Sequence, residues 1–364
     1  MKNISELSFC YGCGVCITAC PVSIIHLEEN EDGFYEPVIK EPSKCIDCGL
    51  CLKVCSFNNK PTNQNDSISA YAAWSNDPAT RNTSSSGGIA FELAVDSFRQ
   101  GYKAIGARYN PSLRRVEHFT ADTLLEFKQS IGSKYLQSYT ADAFSEISYT
   151  PLNQQKWLIV GTPCQIDSLR RLSKIKKAED RFLYVDFFCH GVPSRLLWLK
   201  YLDYISKKNV DSDTSFSWRD KRNGWHDSWA IANTDYFSKW TDGDLFYSIF
   251  LGNNCLNKCC YKDCRFKGTA SSADIRIGDF WGDKYCNDNA GVSAVMAITA
   301  KGRLAIENIK ETCTVKPVEL SDILGHQMKP LRRRTLPREL TLTILKSKLP
   351  LKLAEWIRRI FNHI

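Results

Sequence analysis

Half of the chain's 16 cysteines fall between residues 10 and 55, in two copies of one pattern. The first copy is Cys10-x2-Cys13-x2-Cys16-x3-Cys20, followed by Pro21, and the second is Cys45-x2-Cys48-x2-Cys51-x3-Cys55. A glycine follows the second cysteine of each copy (Gly14, Gly49). Three thiols at this spacing wrap a short loop around one corner of an iron–sulfur cubane. The fourth starts the next helical turn, points away and reaches the other cluster. The spacing therefore predicts two 4Fe–4S clusters, one on Cys10, Cys13, Cys16 and Cys55 and the other on Cys45, Cys48, Cys51 and Cys20. Structural zinc sites pair their cysteines across a long gap instead, which does not fit a doubled x2-x2-x3 run. Between the copies, Ile24–Leu27 and Tyr35–Ile39 flank the turn Asn30–Gly33 and read as a hairpin. A unit of about 55 residues has little core of its own, so ligation is expected to supply much of its stability.

Composition narrows the setting. At 364 residues, 43% hydrophobic and 24% charged, the chain has the profile of a folded protein of two or three domains. Met1–Ser8 has no apolar stretch, and no apolar run reaches the roughly 18 residues of a membrane span. A cytoplasmic location is expected, and there dense cysteines serve as ligands rather than disulfides. The formal charge of +8 counts every cysteine as neutral. Eight ligating thiolates would offset that excess before the metal's charge is added back, so net charge is no argument for nucleic acid, and no nucleic-acid partner is expected.

Beyond a polar linker, apolar runs alternate with amphipathic ones. Strands are predicted at Ala70–Trp74, Lys103–Ala107, Trp157–Val160 and Arg181–Phe188, and helices at Ile89–Arg99, Gln165–Ser173 and Ser194–Lys207. This alternation predicts a mixed α/β domain, with ligands held by the loops after its strands. Ser84-Ser85-Ser86-Gly87-Gly88 runs straight into a helix. Its backbone N–H groups would bind an anion with two glycines making room, or a serine simply caps the helix after a flexible turn; the pattern leaves both readings open. Three further loops stand out: Gly161–Gln165, Cys189–Ser194 and Gly278–Gly282. Cys255, Cys260 and Cys264, with Cys164 and Cys189 added, supply enough thiols for a third metal centre. The adjacent Cys259 and Cys260 cannot easily both enter one small site.

The N-terminal segment resembles bacterial two-cluster ferredoxins over residues 8–57, with Ser56 where that family usually has proline. The remainder resembles the coenzyme F-420 hydrogenase/dehydrogenase beta-subunit family. The matching stretches are SSSGG (84–88), GSKYLQS (132–138), GTPCQ (161–165), CHGVPS (189–194), FSWRDKRNGW (216–225), CCYKDC (259–264) and ADIRIGDFWG (273–282), in family order. The resemblance implies a bound flavin, FAD or FMN, beside Ser86, Gly87, Gly88 and Lys134, with Gly161, Thr162, Pro163 and Gly191 close by. His190 and Asp279 are the candidate proton donors. Asn257 and Lys258 stand where the family has an Arg-Pro pair, and one extra residue precedes the last cysteine.

The expected architecture is a ferredoxin-like domain (1–58), a linker (59–69), a mixed α/β flavin domain (70–325) and a basic amphipathic tail (326–364). The expected function is a ferredoxin-dependent flavin reductase, passing electrons through two clusters and FAD to a small organic substrate, with polysaccharide biosynthesis one setting. The alternative is a non-catalytic electron-transfer or deazaflavin-coupling subunit of a hydrogenase or formate dehydrogenase complex. Ferredoxin or another redox protein is the expected partner. In the tail, Leu353, Trp356, Ile357, Ile360, Phe361 and Ile364 share a helical stripe beside Lys352, Arg358 and Arg359. Such a helix docks on its own protein or makes peripheral contact with an anionic membrane surface.

Overall fold

The computed structural model describes residues 3–61, 67–150, 153–211, 213–327 and 329–362. The middle of the expected linker and Ile364 lie outside them.

In the N-terminal segment each cysteine run ends in a short helix, Val15–Ala19 and Leu50–Lys53. Gly14 and Gly49 start these helices with φ of +77° and +66°, a left-handed turn in which glycine carries no Cβ penalty. Between them β1 (Ile25–Glu29) and β2 (Tyr35–Ile39) form the predicted antiparallel hairpin, with Leu27 opposite Pro37.

The rest is built on a nine-stranded mixed sheet. Its strands are β3 (Ser69–Ser75), β4 (Tyr102–Asn110), β5 (Arg115–Ala121), β6 (Ser138–Tyr139), β7 (Lys156–Val160) and β8 (Phe182–Phe187). It also holds β12 (Ile275–Asp279), β13 (Ser293–Ala297) and β14 (Cys313–Pro317), and the spatial order is β14-β3-β13-β12-β8-β7-β4-β5-β6. A small second sheet contains β9 (Ser217–Arg219), β10 (Trp229–Ala232) and β11 (Phe237–Lys239). Strands β4, β7, β8 and β12 run parallel at the centre, and their Ala104, Ile105, Leu158, Ile159, Leu183, Val185 and Ile275 are buried, as a sheet covered on both faces requires.

One face carries the helix Ile89–Arg99, packed through Ile89, Leu93 and Ala94. The other carries Pro163–Ile175, whose Ile166, Leu169 and Leu172 share a core with Val15, Ala19 and Val54 of the cysteine-rich segment. That segment is thus built into the main core. Gln137 Oε1 accepts from Tyr35 N at 2.7 Å, and Thr140 Oγ1 donates to Cys13 O at 3.1 Å. A Cβ on Gly14 would lie 2.2 Å from Thr140 Oγ1, so close docking is a second reason for glycine there.

The expected tail forms two helices, Thr335–Lys346 and Leu351–Asn362. Leu342, Leu345, Leu351, Ala354 and Ile357 join the core around the helices Arg195–Ser206 and Leu245–Leu251. The apolar stripe is split: Leu353, Ile357 and Phe361 pack inward, whereas Trp356 and Ile360 stay exposed. Self-docking accounts for this helix. Among the described residues no helix is long and apolar enough to cross a membrane.

Candidate redox centres and the large cavity

The parallel strands end at a cavity of about 290 Å³. Val160, Phe187 and Asp279, the last residues of β7, β8 and β12, all line it, which is where α/β sheets bind ligands. Of the residues expected beside a flavin, Ser86, Gly88, Lys134, Gly161, Thr162 and Gly191 line this cavity, and so do His190 and Asp279. Gly87 and Pro163 do not. A Cβ on Gly87 would stand 2.4 Å from Ala73 O and 2.8 Å from Ser293 N, so that glycine answers to sheet packing rather than to a ligand. Pro163 faces a neighbouring, smaller cavity.

The serine-cap reading of the Ser84–Gly88 turn does not hold. The cap residue is Gly88, at φ +88°, and no side chain caps the helix. Ile89, Ala90 and Phe91 of its first turn line the cavity, which suits an anion. The turn itself is fixed from outside. Lys221 Nζ donates to Ser86 O at 2.7 Å, Ser86 Oγ donates to Val292 O at 2.7 Å, and Ser85 Oγ accepts from Ser133 N at 2.7 Å. Lys134 turns its ammonium to the carbonyls of Gln129, Ile131 and Gly132 at 3.0–3.1 Å, and burial lowers its pKa to about 7.

Asp279 is engaged on both oxygens. It takes Arg219 at 2.9 and 3.2 Å and Trp225 Nε1 at 2.7 Å. Arg219 is fully buried, with its guanidinium over Trp229 and Trp281 at 4.7 and 5.6 Å. This geometry makes Asp279 the anchor of an arginine–tryptophan wall. His190 is held neutral: burial, then the Lys267 charge, lowers its pKa to about 4. Sequence reasoning missed Arg219, Trp229, His118 and His326. The last three line the cavity, but each arises on a strand or loop with no motif of its own.

The eight N-terminal cysteines divide around two further cavities. Cys10, Cys13, Cys16 and Cys55 line one, and Cys20, Cys45, Cys48 and Cys51 line the other, in the sets the spacing predicts. Among the described residues no three His, Cys, Asp or Glu side chains converge as they would around a single ion. Thiols spread around a cavity suit a polynuclear cluster better. Burial pushes the Cys13 thiol up to about 11, and burial with mutual repulsion raises Cys10 and Cys16 well above the usual thiol range. A cationic core reverses that balance, because ligation requires the thiolate.

A third cavity is framed by Cys164, Cys189, Cys260 and Cys264. Cys255 is not among them: it is buried in the core among Leu256 and Tyr261, and burial raises it to about 12. Cys259 turns away toward Tyr11 and Phe266, so the adjacent pair does split as expected. Cys13 lines both this cavity and the inner N-terminal one. Thr162, Gln165, Cys189, Gly191 and Val192 line both it and the large cavity.

Residues 154–322 match the family model for the C-terminal part of the coenzyme F420 hydrogenase/dehydrogenase beta subunit, and residues 9–59 match that for a 4Fe–4S dicluster domain. No curated protein matches the chain. Among solved structures, it is similar to a chain of the F420-reducing NiFe hydrogenase complex from Methanosarcina barkeri, in a xenon derivative. The TM-score is 0.48 at 15% identity, covering 84% of this chain and 93% of that one.

Proposed function

We propose that the chain, which joins a 4Fe–4S dicluster domain to the C-terminal domain of a coenzyme F420 hydrogenase/dehydrogenase beta subunit, is an electron-transfer subunit linking a redox protein to a flavin-type ring. Of the two readings drawn from sequence, the coupling subunit is the one the family match favours over a free-standing ferredoxin-dependent reductase. The observation that carries it is the succession of three cavities that share wall residues, from the Cys10, Cys13, Cys16 and Cys55 set through the third cysteine cavity to the end of the parallel strands, with the fourth cavity at the exposed Cys48.

In this reading the two N-terminal cysteine sets hold one cluster each, and Cys164, Cys189, Cys260 and Cys264 hold a third. The flavin, FAD in this reading, takes the large cavity. Bound clusters exchange single electrons, and a flavin converts between one- and two-electron chemistry. The chain's own residues supply placement. Cys13 faces two of the cluster cavities, and the Cys189–Val192 turn separates the third from the ring. The uncapped helix start at Ile89 and the rigid Ser84–Gly88 turn receive phosphate. His118 Nδ1, a buried cavity-wall nitrogen with no hydrogen-bond partner among the described residues, offers the ring a polar contact. His190, neutral at pH 7, is able to pass a proton at the ring.

Anaerobic purification of the full chain tests this. Three four-iron centres give about twelve irons and twelve sulfides per chain, with one flavin. Chemically reduced protein should then reduce coenzyme F420 and bind a redox protein encoded beside it. Iron-free or flavin-free material sinks the proposal. Turnover of an organic substrate without any partner would return the reductase reading.

A further inference from the structure

Lys267 lies at the junction between the third cysteine cavity and the large one. Its Nζ donates to Cys189 O at 2.6 Å and His190 O at 3.0 Å, two carbonyls of the turn that walls both cavities. The loop that carries it is anchored by the fully buried Arg276. Nη1 of that arginine donates to Phe266 O at 3.2 Å and Gly268 O at 2.8 Å, while Asp186 takes Nε and Nη2 at 2.7 Å each. The ammonium is therefore held from both flanks at one place. Among the described residues no carboxylate forms an ion pair with it, so its charge is offset by carbonyl dipoles and not by a counter-ion.

We propose that Lys267 is a positioning and tuning residue that raises the reduction potential of a cluster held by Cys164, Cys189, Cys260 and Cys264. This rests on the reading that these four thiols ligate iron. A cluster gains one negative charge when it takes up an electron, with no proton required. A fixed cation at its edge therefore favours the reduced form, and charge near a cluster is one of the recognised controls on its potential. The attraction is strengthened because the wall around these half-buried thiols includes the buried Tyr11, Cys13 and Phe266, which lower the local dielectric. A raised potential at this position makes the site beside the ring the one where electrons collect.

The test is an EPR-monitored redox titration of the anaerobically purified full chain and its K267M and K267R variants, each with iron and sulfide quantified. In K267M one couple should shift so that at least tenfold less of it is reduced at a given potential, which is 59 mV for one electron. The other two couples should stay where they are, and K267R should restore the natural value. The proposal is overturned if all couples in fully loaded K267M are unmoved, or if K267R shifts as far as K267M. It is also overturned if K267M alone loses about four irons, because Lys267 would then hold the site rather than tune it. About eight irons in the natural chain overturn the underlying third-cluster reading and this proposal with it.

Discussion

His118 is held through one nitrogen. Its Nε2 lies 3.3 Å from Val160 O, and a carbonyl only accepts, so Nε2 carries the hydrogen and Nδ1 is left a bare acceptor. Burial lowers its pKa to about 4, against 6.5 for a free histidine. The unfolded chain therefore takes up this proton first on acidification. Stability is intact above about pH 6.5 and falls as pH drops toward 4, by about 2 kcal/mol at pH 5 for this one side chain. Urea denaturation at pH 7 and pH 5 should show H118Q losing less stability than the natural chain by that amount. Equal losses in the two would mean the imidazole is not buried neutral. Single residues also explain a departure from pattern. Ser56 stands where two-cluster ferredoxins usually have proline, and its N–H donates to Ser168 Oγ at 3.1 Å. That serine lies 3.3 Å from Cys13 Sγ, so a proline at 56 would remove a donor beside that thiol.

The helix Leu351–Asn362 shows how far a pattern carries at the scale of elements. Its sequence has one apolar stripe, but its neighbours take only part of it: Ile357 is 7% exposed and Trp356 is 57% exposed. Ile357→Ala should cost about 2–5 kcal/mol through the cavity it leaves. Trp356→Ala should stay within about 0.5 kcal/mol, the usual range for a surface change. Thermal unfolding of both variants checks this, and similar losses from the two would contradict the docking described. Strands and helices with strong periodicity were legible, among them Ile89–Arg99, predicted to the residue, and β7 and β8, predicted to within one residue at their ends. The sheet order was not, because β13 and β14 pair with β3 across more than two hundred residues and nothing local records that. The arginine–tryptophan wall stayed hidden for the same reason: Arg219, Trp229 and Asp279 meet only once the small sheet folds over the large one.

Across the whole molecule, the cysteine sites form a gradient of burial that spacing alone could not reveal. Spacing divided the eight N-terminal thiols into two sets but said nothing of which lay outside. In the folded chain Cys48 is exposed and its neighbour Ile46 is 60% exposed, whereas Cys13, Cys16 and Cys55 are buried and Cys13 joins the main core. The set at Cys20, Cys45, Cys48 and Cys51 is therefore the one a partner protein or dissolved oxidant meets first. Oxidation of cysteine sulfur follows access, so timed exposure to air should release iron in two phases. About four irons per chain should leave quickly and the remainder slowly. A C48S variant, whose outer site is weakened, should lack most of the fast phase and retain the slow one. Release in a single phase, or a C48S variant that loses the slow phase instead, would place the vulnerable cluster elsewhere and reverse the order of the sites from the surface to the large cavity.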